Sequence, residues 1–410
     1  MKSLGITLAV LGGGSVATSF LRQFAEQVKA AGGTPVKSVK VFDPSRQPGA
    51  GQAYQHDSAS NLLNTSAGGM SALHSNANHF FDWAVANEHR WKAKFPTVIM
   101  RPDAFVPRAL FGLYLNEVFD ESVSILSSHG VIVQHVEASV TCLSTQNGLY
   151  EISTEHGRKF AANFAVMAIG NLEGMQFDYL KPNAGYFTTP YPCSKITQSI
   201  ESGKSVGILG SSLSAIDAAV SLMDAGHQGK ILMISRKGRL PSVRGEHNII
   251  RKPKLLSRTG VKDLANERGG QLRLMEVAEL LRQDIESQEG SLIDLGVLMR
   301  ANQGPHRYID SEIEDATVND RTWQAVIYGL NDSIDLIWHY LSDEDKAIFE
   351  CDFKSQWLSY RVSFPLGNAL KIQRLLHSNQ LSVYGGCSDV SFNDALGQFA
   401  INVLDSTSSF

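Results

Sequence analysis

Apolar residues in this chain fall into two patterns: short continuous runs, and stretches in which they recur every three or four positions. These are the signatures of buried strands and of amphipathic helices. Ile6 to Leu11 is such a run, followed by a helical face carrying Phe20, Leu21 and Phe24 and by a second run, Val39 to Phe42. Helical patterns cover His79 to Asn87 and Arg108 to Ser128. β-like runs follow at Val131 to Val136, Ser139 to Ser144 and Tyr150 to Thr154, and an apolar strand at Phe164 to Ala168. Leu172 to Ser202, rich in Pro, Gly, Tyr and Asn, reads as a connection. Strand, helix and strand then recur at Ser205 to Leu209, Ile216 to Leu222 and Ile231 to Ile234. From about Gly245 to His377 the pattern is mainly helical, clearest at Leu272 to Gln288, Trp323 to Leu341 and Phe353 to Leu376.

The turns between these elements carry the chemistry. Gly12-Gly13-Gly14-Ser15-Val16-Ala17 is G-x-G-x-x-A between a strand and a helix, and the next strand ends in Asp43. Gly12 permits the tight turn, Gly14 admits a pyrophosphate without a Cβ in the way, and Ala17 lets the helix pack on the sheet. Asp43 stands where a carboxylate accepts from a ribose diol. The second copy, Gly210-Ser211-Ser212-Leu213-Ser214-Ala215, has Ser212 in place of the second glycine, and its following strand ends in Ser235-Arg236-Lys237. Two cations there suit the 2′-phosphate of NADP. The alternative is a unit retained for packing, its nucleotide site lost. The expected fold is therefore α/β, two Rossmann-like dinucleotide-binding units with a mainly helical insertion in the second half. The boundaries expected are 1–190 for the first unit, 191–245 with 378–410 for the second, and 246–377 for the insertion.

The halves repeat each other further. The stretch from Gly130 to Phe160 follows the same course as that from Asn379 to Phe410, so the second unit is expected to stop about one strand short.

Composition narrows the function classes. A chain of 410 residues that is 43% hydrophobic can bury two or three cores, and a formal charge of −4 argues for neither a nucleic-acid nor a membrane partner. No apolar run reaches the roughly 18 residues of a spanning helix. The apolar N-terminus ends in the fingerprint and so reads as a strand rather than a signal peptide, from which a cytoplasmic location is expected. Cys142, Cys193, Cys351 and Cys387 form no C-x-x-C pair, which disfavours a dithiol flavoenzyme. His74 with His79, and His129 with His135, lack helical ligand spacing, and no metal site is expected. Arg236 to Arg258 holds eight cations (Arg236, Lys237, Arg239, Arg244, Arg251, Lys252, Lys254, Arg258) against Glu246. It reads either as a site for the NADP phosphate or a substrate carboxylate, or as a solvated loop. Tyr54, Trp83, Trp323, Trp338 and Trp357 read as packing residues.

Other runs carry a resemblance. Gly49-Ala50-Gly51-Gln52-Ala53-Tyr54, Asn61 to Ala67, Met70-Ser71, Phe80-Phe81-Asp82-Trp83 and Phe105 to Leu115, with Gly210 to Asp217, Gly226 to Gly229 and Ser235 to Pro241, resemble the FAD/NAD(P)-binding protein family. That resemblance implies FAD in the first unit, with Gly12, Gly14 and Ser15 at the pyrophosphate and Asp43 at the adenosine ribose. Gly51, Asn64, Met70 and Ser71 would lie along the flavin, and Gly170 would approach FAD again. It implies NADPH at the second unit, through Gly210, Ser211, Ser212, Arg236 and Lys237. The implied activity is a flavin-dependent, NADPH-using monooxygenase that hydroxylates an amine or amino-acid nitrogen of a small-molecule substrate. Its alternatives are a flavin dehydrogenase or oxidase that does not use NADPH, and a catalytically idle nucleotide-binding partner protein. The cofactor carries the hard chemistry in such an enzyme, and no catalytic side chain is singled out.

Overall fold

The structure is a computed structural model that describes residues 5–171, 174–245, 250–290, 300, 303–403 and 406–409. Leu172, Glu246 and Phe410, which entered the sequence reading, lie outside the described residues. The chain divides into two compact units, Met1–Ile196 and Thr197–Phe410.

In the first unit, β1 (Ile6–Leu11), β2 (Val36–Phe42), β3 (Ile132–Val136) and β7 (Phe164–Met167) form one parallel sheet in the order β3-β2-β1-β7. A parallel strand covered on both faces is apolar at every position, which is why the β1 run is continuous. Leu8 and Val10 face α1 (Ser15–Ala31) and α5 (Arg108–Ser128), packing with Leu21, Ala25, Phe119 and Leu126. Ala9 and Leu11 face the opposite way, toward the antiparallel meander β4 (Val140–Gln146), β5 (Leu149–Thr154) and β6 (Lys159–Ala162), where Ile152 and Ala162 meet Phe42. Buried Ala17, Leu21, Ala25 and Val28 set the inner face of α1, and Gly32, at φ +69°, ends it in a left-handed cap. The segment between β2 and α5 carries three short helices, α2 (Gly51–Tyr54), α3 (His79–Ala86) and α4 (Glu88–Trp91). They gather Phe80, Trp83, Trp91, Phe111 and Tyr114 into a separate aromatic core.

The short helix α6 (Cys193–Ser199) leads to the second unit, where β8 (Val206–Leu209), α7 (Leu213–Asp224), β9 (Ile231–Ser235) and β12 (Leu381–Gly385) repeat the plan. Their parallel order is β12-β9-β8. A second antiparallel meander follows, β13 (Cys387–Asn393), β14 (Gln398–Val403) and β15 (Ser406–Ser409). Among the described residues no strand lies against β8 as β7 lies against β1. The added helices again enter between the second strand and the helix before the third. They are α8 (Arg258–Glu267), α9 (Leu274–Glu289), α10 (Pro305–Val318), α11 (Thr322–Gly329), α12 (Ile334–Tyr340), α13 (Asp343–Ile348) and α14 (Lys354–Arg361). A two-residue parallel ladder, β10 (Ser242–Val243) with β11 (Ser363–Phe364), brackets this insertion, and α15 (Leu366–His377) packs on both α7 and α10.

Two helices expected as continuous are broken. The run Trp323 to Leu341 divides into α11 and α12 beside Gly329, where a Cβ would stand 2.1 Å from Arg251 O, and Ser333 Oγ, donating to Leu256 O at 2.7 Å, pins the joint. The run Phe353 to Leu376 divides into α14 and α15 at the β11 ladder, just before Pro365. Trp323 is buried, whereas Trp338 is 40% exposed, its indole edge against Phe349, and is not a core residue. No helix among the described residues is long and apolar enough to cross a membrane.

Candidate cofactor site

At the carboxyl edge of the first sheet, β1 turns into α1 through Gly12-Gly13-Gly14. Gly12 has φ +104°, its N–H donates to Phe42 O at 2.8 Å, and a Cβ on it would stand 2.1 Å from Ala168 O. The turn thus threads between the ends of β2 and β7. Gly13 N donates to Asp43 Oδ2 at 2.7 Å. The other Asp43 oxygen accepts from Ser45 N at 2.9 Å and from the Ser45 hydroxyl. A carboxylate offers about four lone-pair sites, so Asp43 is oriented by the turn with acceptor capacity remaining. Gly14 is the N-cap of α1 and no side chain caps that end, which leaves first-turn N–H groups to serve an anion.

A loop lies across this turn. Gly49 N donates to Gly13 O at 2.6 Å, and Thr18 Oγ1 donates to Gly49 O at 3.1 Å. Asn116, on α5, accepts from Ala50 N at 2.9 Å. This brings Gly51, at φ +60°, backbone to backbone with Gly14. Gly112 lets α5 approach α2, since a Cβ there would stand 1.9 Å from Tyr54 O. The structure therefore joins Gly12, Gly14, Ser15, Asp43 and Gly51 in one place, with Ala168 as a wall. Gly170, two residues beyond that wall, has φ +68°, is exposed, and has open space where a Cβ would go.

Asn64, Met70 and Ser71 lie on the segment leading into α3. Met70 packs on the aromatic core, and Ser71 Oγ closes a turn, accepting from Leu73 N at 2.9 Å. The same turn is tied to Tyr114, whose Oη accepts from Ala72 N at 3.0 Å and meets His79 Nδ1 at 2.9 Å. Burial, with a smaller push from Arg22, holds the His79 imidazole below its usual range against the opposing carboxylates Glu121, Asp82 and Glu26. Burial raises the Tyr114 phenol despite its hydrogen bonds. Trp83 Nε1 is buried without a hydrogen-bond partner. Tyr54 packs edge-on against Phe111. Arg108, at the start of α5, anchors the segment by donating to Leu62 O at 3.0 Å and to Tyr191 Oη at 2.9 Å. Asn116, Thr18 and Gly49 were not reached from the sequence as site residues. Gly49 was quoted in the G-x-G-x-A-Y run, but Asn116 carries no motif signal.

The second turn differs physically from the first. Gly210 has φ +130°, yet nothing lies within contact of a Cβ built on it, because no strand stands beyond β8 among the described residues. Ser212 is the exposed N-cap of α7, and its side chain makes no capping bond. Ser211 is buried, and its hydroxyl donates to Arg239 O at 2.6 Å and lies 2.9 Å from the Ser235 hydroxyl oxygen, so only its backbone remains for a ligand. Arg236 and Lys237 are exposed at the end of β9. The cations after them do not act as one patch. Arg258 grips Asp335 with two bonds of 2.9 and 3.1 Å, Lys252 lies 3.6 Å from Asp332, and Arg251 donates to Gln288 O at 3.0 Å. Arg244 is buried.

Residues 9–172 match the FAD-NAD(P)-binding family. Among solved structures, an ornithine hydroxylase from Pseudomonas aeruginosa is 11% identical, with 99% of this chain and 80% of that one covered at a TM-score of 0.48. A flavin-containing monooxygenase from Stenotrophomonas maltophilia is 18% identical, with 56% and 58% covered and a TM-score of 0.31. A thioredoxin reductase from Lactococcus lactis is 12% identical, with 58% and 57% covered and a TM-score of 0.33. The chain thus spans a little over half the length of the last two. No curated protein is significantly similar to the chain.

Proposed function

Residues 9–172 match the FAD-NAD(P)-binding family, and from that match we propose an FAD-dependent, NADPH-using oxidoreductase. We place its action in the cytoplasm, as a monooxygenase of an amine or amino-acid nitrogen on a small molecule. The observation that carries the reading is the uncapped amino end of α1 at Gly14, set beside the Asp43 carboxylate that Gly13 N–H orients. A diphosphate suits the first feature and a ribose diol the second.

The first turn fits FAD, because the positions nearest the diphosphate, Gly12 and Gly14, present backbone alone. Gly14 and Ser15 would hold the diphosphate and Asp43 the adenosine ribose, with Gly51, Asn64, Met70 and Ser71 toward the flavin and Gly170 closing the site. The second turn fits a nucleotide less well, since the Ser212 side chain stands at the α7 amino end. There Gly210 and the Ser211 backbone would meet the diphosphate, and Arg236 and Lys237 the 2′-phosphate of NADPH. When bound, FAD supplies two-electron redox chemistry and the activation of dioxygen. The protein's share is to orient the cofactor through α1 and to keep water from it with the aromatic core around Phe80, Trp83, Phe111 and Tyr114.

Stopped-flow mixing of the FAD-loaded protein with NADPH, with and without candidate amines, tests the proposal. Bleaching of the flavin by NADPH, followed by substrate-dependent oxygen uptake, is the expected result. A flavin that stays oxidised with NADPH but bleaches with a substrate indicates the dehydrogenase or oxidase instead. A protein that refuses FAD altogether is a scaffold.

A further inference from the structure

In the second unit the segment Ser242–Gly245 is fixed by buried side chains that the cofactor turns do not use. Glu312 Oε2 accepts from Ser242 Oγ at 2.6 Å and from Val243 N at 3.0 Å. Gln324 donates to Val243 O at 3.0 Å and accepts from Gly245 N at 3.1 Å. Arg321, wholly enclosed, pairs with Glu312 at 2.8 Å and Asp315 at 2.7 Å while donating to the Val243 carbonyl. Arg244 N itself donates to Phe364 O at 2.9 Å. With its own backbone and both neighbours pinned, Arg244 is delivered to a single place.

There its guanidinium carbon lies 3.9 Å from the centroid of the Tyr328 ring, and that of Arg361 lies 5.2 Å from the same centroid. The ring is held by Tyr328 Oη donating to Ser363 Oγ at 2.5 Å. Arg244 is 8% exposed, and its Nε is buried without a hydrogen-bond partner. Arg361 donates to Asn331. Among the described residues neither arginine has a carboxylate within ion-pair distance, although Arg321, close by, has two. Burial first, and then the like charge of Arg244, lowers the Arg361 pKa against the opposing Tyr328. Two cations sharing one ring, one of them almost wholly buried and donor-rich, are a charge that no carboxylate among the described residues compensates. An oxyanion would complete it, since each guanidinium offers a fork that matches carboxylate or phosphate oxygens.

We propose that Arg244 and Arg361, stacked on Tyr328, form a clamp for a small oxyanion. It is either the carboxylate of the substrate, which rests on the oxidoreductase reading, or a phosphate of the nicotinamide nucleotide. The site is set by the β10–β11 ladder.

Calorimetric titration of the full-length protein with succinate, inorganic phosphate, NADP+ and NAD+ tests the clamp without activity or bound flavin. A failed cofactor assignment would therefore leave this readout intact. The wild type should bind at least one probe, and Arg244→Met and Arg361→Gln should each weaken it by about ten- to a hundredfold. Arg244→Lys, which keeps charge but not the fork, should recover only part. Loss for succinate alone identifies a carboxylate, and loss for the nucleotides identifies their phosphates. Should Arg244→Met fail to fold, Arg361→Gln, at a less buried position, carries the test. Saturable binding of no probe by the wild type, or equal titrations of wild type and folded variants, would overturn the clamp and leave the stacked arginines a packing device.

Discussion

A Cβ built on Gly51 would stand 2.7 Å from Gly14 Cα, so the loop that crosses the fingerprint and the fingerprint itself meet as two bare backbones. Gly14 is usually explained by what it leaves free for a phosphate. Here it also admits Gly51, and Gly51 has φ +60°, a second reason against a side chain. Gly51→Ala should therefore push the loop off the turn, costing about 2 kcal/mol or more and lowering flavin retention after gel filtration. Gly170→Ala, with open space at its Cβ, should cost roughly 1–2 kcal/mol from its positive φ alone. Equal flavin content and equal urea midpoints for the two variants would contradict this arrangement.

The two fingerprint turns make a sharper pair. Gly12 faces the Ala168 carbonyl, whereas Gly210 faces open space. Gly12→Ala should destabilise the first unit by about 3–5 kcal/mol, in the range of severe overpacking. Gly210→Ala should destabilise the second by roughly 1–2 kcal/mol, from backbone strain alone. Hydrogen exchange, which reads each unit separately, checks the asymmetry, and matching losses in the two would refute it.

Much of this architecture was legible because strand, glycine turn and helix each left a local mark. β1, α1, β2, α5 and the repeat at β8, α7 and β9 follow from period and fingerprint. The β10–β11 ladder did not show itself, because two residues such as Ser242 and Val243 carry no periodicity. The division of Trp323 to Leu341 depends on Gly329 meeting Arg251 O, a contact between segments far apart in sequence. Asn116 acts on Ala50 across 66 residues, and only the fold could bring them together. Pro365, by contrast, was a readable stop inside the run Phe353 to Leu376.

Arg236 is exposed and has no ion-pair partner among the described residues. A charge-assisted contact at such a place is weakened by solvent to about 1 kcal/mol. Arg236→Ala should accordingly raise KM for NADPH about fivefold and leave KM for NADH nearly unchanged. Steady-state flavin reduction with both nucleotides measures the ratio, and an equal rise for both would remove the 2′-phosphate from Arg236.

Asp315 gives the second unit an acid dependence whose sign follows from its surroundings. Burial alone would raise its carboxyl, but Arg321, the Asn319 amide and Arg300 outweigh burial and hold it below its usual value of 3.8. A carboxyl depressed in the folded chain binds fewer protons there than in the unfolded one. Its stabilisation is therefore complete above the ordinary carboxylate value and lost as pH falls through the folded value, in a window below about pH 4. Asp315→Asn removes the titrating group and one partner of the enclosed Arg321. It should lower the unfolding free energy at neutral pH by about 3 kcal/mol, in the manner of a broken buried pair, and the urea midpoint with it. Its stability curve should then approach the wild-type curve as pH falls below about pH 4 through the depressed folded value, because the wild type loses the same interaction by protonation. Curves that stay parallel from neutral to acid pH would mean that Asp315 is not depressed, and that Glu312 alone balances Arg321.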